Sequence, residues 1–469
     1  MKRVLGVVIS LALILTGVVY FQANTKPETL KLIALNVANN TLPSYQHYID
    51  FKLPDSKLAQ EFAKNYTLAL DENGVSVNFS PAKPSTINNQ TVRVYLPVLQ
   101  PYNNYIIKYQ NYSYNIKYTS SSYTPVTKAS QCILLEKNPS NCLNAYFHSK
   151  VLSEKGVAKS LTELNQLIES DKNLLMQCHA WAHSIGEAAG WYYKNWQDAI
   201  KYAKNSCNFG YYHGVQEGLA EIISTKQLKQ DLDSICSVFV LEMIVIDCAH
   251  GLGHLAYWRT GGDLNSSMEL CETIKKNEKS GFDSMISCSA GVIMNWSIDY
   301  QLELTAENKT NFVQPVLSDP FKLCAQFTNT YIQAGCYNYI HFAQTQDKEV
   351  LSKVVDQCIT LKDTTTLSWC LLGYARDYGH FPSVKSKEII DKCSLSNNTD
   401  GIWSCAQGIV YVKVITTGKP GMADEVCNYL KLLKFDPVNY TENCASIKAM
   451  EQRRVGAEGA ILQLNTSRN

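Results

Sequence analysis

The segment DCAHGLGH (residues 247–254) brings together one cysteine, two glycines and a pair of histidines four residues apart. Two upstream segments, QCHAWAHSIGE (177–187) and SCNFGYYHGVQEG (206–218), also carry a cysteine followed by histidine among small or aromatic residues. Because residues four positions apart share one face of a helix, this spacing predicts helices that present histidines side by side. The three segments therefore indicate a structural repeat, a shared histidine site, or both.

The cysteine spacing predicts an all-α repeat of helical hairpins over residues 131–469. Several cysteine pairs are 12 residues apart, and the later pairs begin at 324, 358, 393 and 427, at intervals of 34, 35 and 34. A period of about 35 residues is typical of a helix–turn–helix unit that buries its apolar face only by stacking on its neighbours. A glycine follows the second cysteine by three residues at positions 210, 251, 291, 373 and 408. Since a glycine within a helix costs about 1 kcal/mol relative to alanine, its repeated use predicts close approach between helices.

The even number of cysteines, 16, predicts a fully paired and exported chain. Each disulfide would tie one hairpin and stabilise it by about 2–4 kcal/mol through the unfolded state. The expected pairs are Cys132–Cys142, Cys178–Cys207, Cys236–Cys248, Cys271–Cys288, Cys324–Cys336, Cys358–Cys370, Cys393–Cys405 and Cys427–Cys444. This organisation is similar in principle to other disulfide-stapled helical repeat proteins, whose cysteine spacing is shorter.

The N-terminus predicts export through a membrane. Lys2 and Arg3 precede an uncharged apolar run of 18 residues from Val4 to Phe21, which is just long enough for a transmembrane helix. We expect residues 1–25 to form a signal anchor with the basic flank on the cytoplasmic side. The alternative is a cleaved signal peptide that releases a secreted protein.

Sequons for N-glycosylation agree with an extracellular, glycan-bearing surface. They occur at Asn39, Asn65, Asn78, Asn89, Asn111, Asn265, Asn295, Asn308, Asn397, Asn439 and Asn465.

Residues 26–118 contain no cysteine and predict a small β-sandwich, followed by a linker at 119–130. Seven runs alternate apolar and polar residues, which is typical of half-buried strands: 30–37, 45–53, 66–70, 75–79, 91–96, 105–109 and 114–118. The DENG segment (71–74) predicts a hairpin turn. The stretch LQPYNNYIIKY (99–109) resembles a pattern of fibronectin type III and related immunoglobulin-like domains. The resemblance implies a sandwich in which Tyr105 is the tyrosine at a strand corner.

The histidine clusters predict a transition-metal site in the repeat domain. The candidate ligands are His179, His183, His213, His250 and His254, with Glu187 and Glu217 as further ligands, hydrogen-bond partners or general base. Imidazole suits zinc and copper, and helices about 8–10 Å apart could bring these rings together. Two other interpretations stay open: a ladder of structural histidines that bond neighbouring helices, and a metal-free ligand-binding or catalytic pocket.

Two functions follow from these features. The balance of 43 basic and 42 acidic residues gives no basic face for nucleic acid. The first function is a surface-anchored scaffold that binds an extracellular protein, peptide or carbohydrate, and the second is a metal-dependent enzyme or metal-handling protein that uses zinc or copper. Aromatic residues near the histidines would form either core or a binding groove: Trp181, Trp191, Tyr192, Tyr193, Tyr211, Tyr212, Trp258 and Trp296. No complete catalytic motif identifies an enzyme class.

Overall fold

The computed structural model of the chain describes most of residues 32–459. The described ranges are 32–35, 41–42, 48–72, 75–79, 85–95, 104–110, 112–118, 126–135, 139–154, 156–171, 174, 177–202, 207, 209–236, 242–274, 284–305, 321–341, 347–417 and 420–459. The predicted anchor at 4–21 and residues 119–125 of the predicted linker lie outside these ranges. Within them, no helix is both long enough and apolar enough to cross a bilayer.

The first part of the described chain consists of two β-sheets. The strands are β1 (Ile33–Ala34), β2 (Thr41–Leu42), β3 (Tyr48–Lys52), β4 (Thr67–Glu72), β5 (Val75–Phe79), β6 (Ser85–Asn88), β7 (Thr91–Tyr95), β8 (Asn104–Tyr109) and β9 (Tyr112–Tyr118). One sheet has the order β1-β3-β7-β6 and the other the order β2-β9-β8-β4-β5. All strand pairs are antiparallel except β2 with β9. The Phe51 ring of the first sheet meets the Tyr114 ring of the second edge-on, with centroids 5.2 Å apart, so the two sheets face each other across a core.

Each of the seven runs predicted as strands contains a strand. Glu72 pairs with Val75, so the chain reverses across residues 73–74, as the DENG segment predicted. The short strands β2 and β6 were not predicted, nor was helix α1 (Ser56–Asn65). The signal for this helix was present, because the Asp55 side chain accepts a hydrogen bond from the Leu58 amide and caps the helix.

The second part of the described chain is entirely helical, and its first helix begins at Ala129. Its helices are α2 (Ala129–Leu135), α3 (Pro139–Glu154), α4 (Val157–Ser170), α5 (Cys178–Tyr193), α6 (Trp196–Ile200), α7 (Gly210–Ile222), α8 (Thr225–Ile235), α9 (Glu242–Arg259), α10 (Leu264–Cys271), α11 (Ser284–Thr305), α12 (Phe321–Cys324), α13 (Thr330–Tyr339), α14 (Lys348–Leu351), α15 (Val354–Cys358), α16 (Thr364–Gly379), α17 (Ser386–Ser394), α18 (Thr399–Thr417), α19 (Met422–Leu432) and α20 (Tyr440–Gly459). Long helices alternate with shorter ones, which is the predicted pattern of hairpins.

The long helices pack side by side in chain order. These core helices are α3, α5, α7, α9, α11, α13, α16, α18 and α20, each of which contacts the next. The shorter helices cover them. Helix α8, for example, buries Leu228 and Leu232 and exposes Lys226. The core of this part is therefore continuous along the row, as expected when hairpins stack.

All eight predicted disulfides are present, so all 16 cysteines are paired. Most of them tie a short helix to the core helix that follows it, as Cys236 at the end of α8 does with Cys248 of α9. Cys178–Cys207 differs, because it joins the start of core helix α5 to the segment just before core helix α7. This disulfide therefore links two successive core helices.

Four of the five recurrent glycines, at 210, 291, 373 and 408, lie where the backbones of core helices touch, and so does Gly214, whereas the nearest atoms to a Cβ at Gly251 belong to the Gln216 side chain. A Cβ at Gly214 would lie 2.0 Å from the carbonyl oxygen of His183, and a Cβ at Gly373 would lie 2.0 Å from the carbonyl oxygen of Asn338. These distances are far below van der Waals contact, so any side chain would push the helices apart. The prediction of close helix–helix approach is confirmed.

We expect Gly373→Ala to destabilise the protein by about 2 kcal/mol or more, because the methyl group would overpack the contact between α13 and α16. Gly156→Ala is the control, since the nearest atom that its Cβ would meet is 3.4 Å away. Denaturant unfolding followed by circular dichroism would measure both. If both variants unfolded at the same denaturant concentration, Gly373 would not lie at a tight helix–helix contact.

Candidate metal centre

Three successive core helices bring the predicted histidines together. His179 and His183 lie on α5, His213 lies on α7, and His250 and His254 lie on α9. The histidines lie at similar positions along the helix axes because the helices touch at glycines next to them. One such contact is that of Gly214 with the carbonyl oxygen of His183.

His179, His183 and His213 form a compact group. Their candidate ligand nitrogens all lie within 4.8 Å of one another. The ring centroids are 4.6 Å apart for His179 and His183, 5.5 Å for His179 and His213, and 5.4 Å for His183 and His213. These residues can hold a metal ion. We call them the histidine triad.

In two triad members, one ring nitrogen forms a hydrogen bond with a backbone carbonyl group. For His179 this group lies in the segment just before α7, and for His213 it lies in α9. Nδ1 of His179 lies 2.9 Å from the carbonyl oxygen of Cys207, and Nε2 of His213 lies 2.9 Å from that of Asp247. A carbonyl oxygen only accepts, so these nitrogens carry the proton and donate it. In the neutral rings, Nε2 of His179 and Nδ1 of His213 are then left with bare lone pairs. A hydrogen bond of this kind commonly orients a metal-binding histidine.

The third member is oriented by a carboxylate. Nδ1 of His183 lies 2.9 Å from Oε2 of Glu217, and Nε2 of His183 lies 3.1 Å from Nε2 of His179. With Glu217 ionised, Nδ1 of His183 donates and its Nε2 is also bare. Two lone pairs so close repel unless a cation lies between them. Two nitrogens that bind one ion tetrahedrally at 2.0–2.1 Å would lie about 3.3 Å apart.

Burial and neighbouring charges shift the pKa values of His179, His213 and Glu217. Burial, together with repulsion from His183, lowers the pKa of His179 to about 3. Burial, with the neighbouring histidines, also lowers the pKa of His213 well below its usual value. For Glu217, burial raises the pKa, but the interaction with His183 and the other histidines outweighs it and the pKa is lowered. The His179 and His213 rings are therefore neutral and the Glu217 carboxylate is ionised at neutral pH.

His250 and His254 lie beside the triad but outside its group of ligand atoms. Their centroids are 5.9 and 6.0 Å from that of His213. Nδ1 of His254 donates to Oδ1 of Asn295 on α11 at 2.6 Å, and a ring nitrogen of His250 bonds the backbone of Ser287. Each of these rings is fixed from the following core helix, in the same manner as the triad.

The polar surface continues from His250 toward the C-terminus. The centroid of the His250 ring lies 5.0 Å from that of the Tyr339 ring on α13. The guanidinium group of Arg376 on α16 lies 3.7 Å from the centroid of the Tyr339 ring. Nε of Arg376 donates to Oδ1 of Asp377 at 2.7 Å. Since α9 and α13 are separated in the row by α11, the contact of His250 with Tyr339 shows that the row curves toward the histidines. Sequence reasoning missed these residues. Arg376 lies six residues after Cys370, the same offset as His213 from Cys207, which was a usable signal.

Glu187 lies next to His148, away from the histidine triad. Its Oε2 lies 4.0 Å from Nε2 of His148, and both side chains are buried. Glu187 lies one helical turn past His183, and this turn faces α3, which carries His148.

One sequon has a different role. The Asn295 side chain is held by His254 and lies within the histidine cluster, so it is not a free glycan acceptor in the folded chain. Other sequon asparagines are exposed, and their glycosylation stays a prediction: Asn65, Asn89, Asn265, Asn397 and Asn439. Asn39, Asn111, Asn308 and Asn465 lie outside the described residues.

His341 shows the same backbone bond without a cluster. Its Nε2 lies 3.2 Å from the carbonyl oxygen of Cys370. The sulfur atoms of Cys358 and Cys370 lie nearby, but they are joined in a disulfide and offer no thiolate to a metal. His341 is thus a structural histidine and a natural control for the triad.

The aromatic residues near the cluster mainly form core. Trp181, Trp191, Tyr211, Tyr212 and Trp296 are all buried, so the alternative of an aromatic binding groove is wrong for them. Comparison with protein families, with curated proteins and with solved structures finds no match to this chain. The function is therefore argued from the geometry of the site.

We expect the metal-free protein to lose stability as the pH falls from 6.5 toward 3. The pKa of His179 is 6.5 in an unfolded chain and about 3 here, so in this window the unfolded chain binds a proton that the folded chain does not. Stability is complete above pH 6.5 and decreases below it. Denaturant midpoints at pH 7 and pH 5 in a chelator would measure this. His179→Gln should lose less than wild type over the same step, and a wild-type midpoint that stays constant would refute the prediction.

Proposed function

We propose that this protein is an exported metal-binding protein whose helical repeat domain holds a zinc or copper ion through the histidine triad. The observation that carries the proposal is the 3.1 Å separation between Nε2 of His179 and Nε2 of His183, two nitrogens that are both bare when the rings are neutral. Both opposite nitrogens are bonded to acceptors, so neither ring can turn its proton inward at no cost. A cation between them removes the repulsion.

The donor set supports zinc or copper. Imidazole nitrogen suits both metals, and all cysteines are paired, which leaves no thiolate for a sulfur-rich site. With three neutral ligands and the ionised Glu217 behind His183, the protein supplies one negative charge. The same arrangement of metal, histidine and carboxylate recurs in zinc enzymes.

An open side of the site favours a catalytic metal over a purely structural one. The side chains of His183 and Glu217 remain 22% and 17% exposed. Catalytic zinc sites have three protein ligands and leave a position for water or substrate, whereas structural zinc sites are closed by four. We therefore favour a metal-dependent hydrolytic enzyme as the second, more specific candidate. Assays on ester, phosphoester and peptide substrates would test it, and the activity must disappear on chelation and in His183→Ala.

The remaining parts fit a surface protein. Segment 4–21 would anchor the chain, and paired cysteines are typical of oxidising compartments. The strand order β1-β3-β7-β6 corresponds to A-B-E-D of an immunoglobulin-like sandwich, and β9-β8-β4 corresponds to G-F-C. Tyr105, buried near the start of β8, has the place of the corner tyrosine. We infer an immunoglobulin-like spacer that carries the repeat domain away from the membrane and toward an extracellular ligand.

Metal binding should depend on Glu217. The full chain, extracted in detergent and purified without a polyhistidine tag, should retain at least one zinc or copper ion after loading and desalting. Glu217→Gln should weaken binding about 10–100-fold, because a less basic partner orients His183. His341→Ala is the control and should bind as wild type does. Substoichiometric metal in the wild-type protein, measured by elemental analysis, would refute the proposed function.

The disulfide that links α5 and α7, two of the three histidine-bearing helices, should support metal affinity. Cys178→Ser/Cys207→Ser would loosen the segment whose Cys207 carbonyl orients His179, so we expect a weaker metal affinity, measured by competition with a chromophoric chelator. Cys393→Ser/Cys405→Ser removes a disulfide in a distant hairpin and should lower the unfolding midpoint without changing metal affinity. Equal affinity losses in both variants would show that Cys178–Cys207 has only a general stabilising effect.

A further inference from the structure

The second pair of histidines repeats the geometry of the first. His250 and His254 are four residues apart on α9, as His179 and His183 are on α5, and their ring centroids are 4.7 Å apart against 4.6 Å. Each ring of the second pair also has one nitrogen bonded to the next core helix, to Ser287 or to Asn295.

Each ring of the second pair therefore keeps one nitrogen for another partner. Nδ1 of His254 donates to an amide oxygen, which leaves Nε2 bare in the neutral ring. Burial lowers the pKa of both His250 and His254. Both side chains are nearly buried, with exposures of 9% and 6%.

One ion cannot use all five rings. Ligands of a single zinc or copper ion at 2.0–2.1 Å lie within about 4.2 Å of one another, and the group of nitrogens within 4.8 Å contains only the triad. His213 lies between the two pairs but cannot serve both, because its Nε2 donates to Asp247 and only Nδ1 is left. The five rings thus divide into the triad and the pair of His250 and His254.

We propose that the five histidines form a two-ion centre, in which His250 and His254 hold a second zinc or copper ion beside the ion of the triad. This inference rests on the proposed function. With two neutral protein ligands, the second ion needs anionic ligands from solution, and an oxyanion that bridges two ions is the ligand class that such centres bind. Arg376 lies near His250, but its charge is offset by Asp377 at 2.7 Å.

The stoichiometry of metal binding tests the two-ion centre. The full chain in detergent, purified without a polyhistidine tag and stripped with a chelator, is titrated with zinc in competition with a chromophoric chelator. We expect two equivalents for the wild type and for the control His341→Ala, and one equivalent for His250→Ala/His254→Ala. One equivalent in the wild type overturns the two-ion centre and leaves the proposed function standing. No bound zinc overturns both.

A measurement on the wild type alone covers the case in which the double variant does not fold. Copper(II) is added to one and then to two equivalents, and the electron paramagnetic resonance signal is integrated at each step. Two neighbouring ions couple magnetically, so the signal per copper should fall at the second equivalent. A signal that simply doubles would mean that the second ion binds elsewhere, and it would overturn the inference.

Discussion

The contact between core helices at glycine is the constraint on which the helical domain depends. At Gly214 and Gly291 the backbone of one helix lies against the carbonyl oxygens of His183 and His250 on the helix before it. Contacts this close fix the height of each helix relative to its neighbour, because a shift along the axis would place a side chain where only hydrogen fits. Disulfides hold each hairpin together, but the glycines set the register between hairpins. The histidines of α5 and α7 meet because this register holds between the two helices, and α9 lies against α7 through Gly251, which faces the Gln216 and His213 side chains.

A structural ladder and a metal site make different use of the two ring nitrogens of each histidine. His179, His213 and His341 all donate one ring nitrogen to the carbonyl oxygen of a residue in the next repeat, which is the ladder. The remaining nitrogens are what differ. His341 has no second histidine within its group, whereas the triad directs three bare nitrogens toward one another. The ladder therefore supplies the ring orientation that a metal ion bound at the triad would require.

The histidine site also contributes an unfavourable desolvation energy to folding. Neutral histidines and an ionised glutamate are buried together, and the desolvation of such groups is unfavourable unless they are paired. Hydrogen bonds from the surrounding helices offset part of this cost, and a bound cation would offset more. The partial exposure of His183 and Glu217 gives ions and substrates a way in without opening the array.

The sequence by itself determined the hairpins, the eight disulfides, the close glycine contacts and the five histidines, because these follow from spacings along one helix or one repeat. It did not determine which side chains meet across helices. His183 is four residues from Glu187, yet it bonds Glu217 of the next helix, and Glu187 turns to His148. Asn295 lies in a sequon for N-glycosylation, but its side chain accepts a hydrogen bond from His254. Only the tertiary structure decides such pairs, because they depend on the rotation of each helix about its axis, which packing sets and a spacing along the chain does not record.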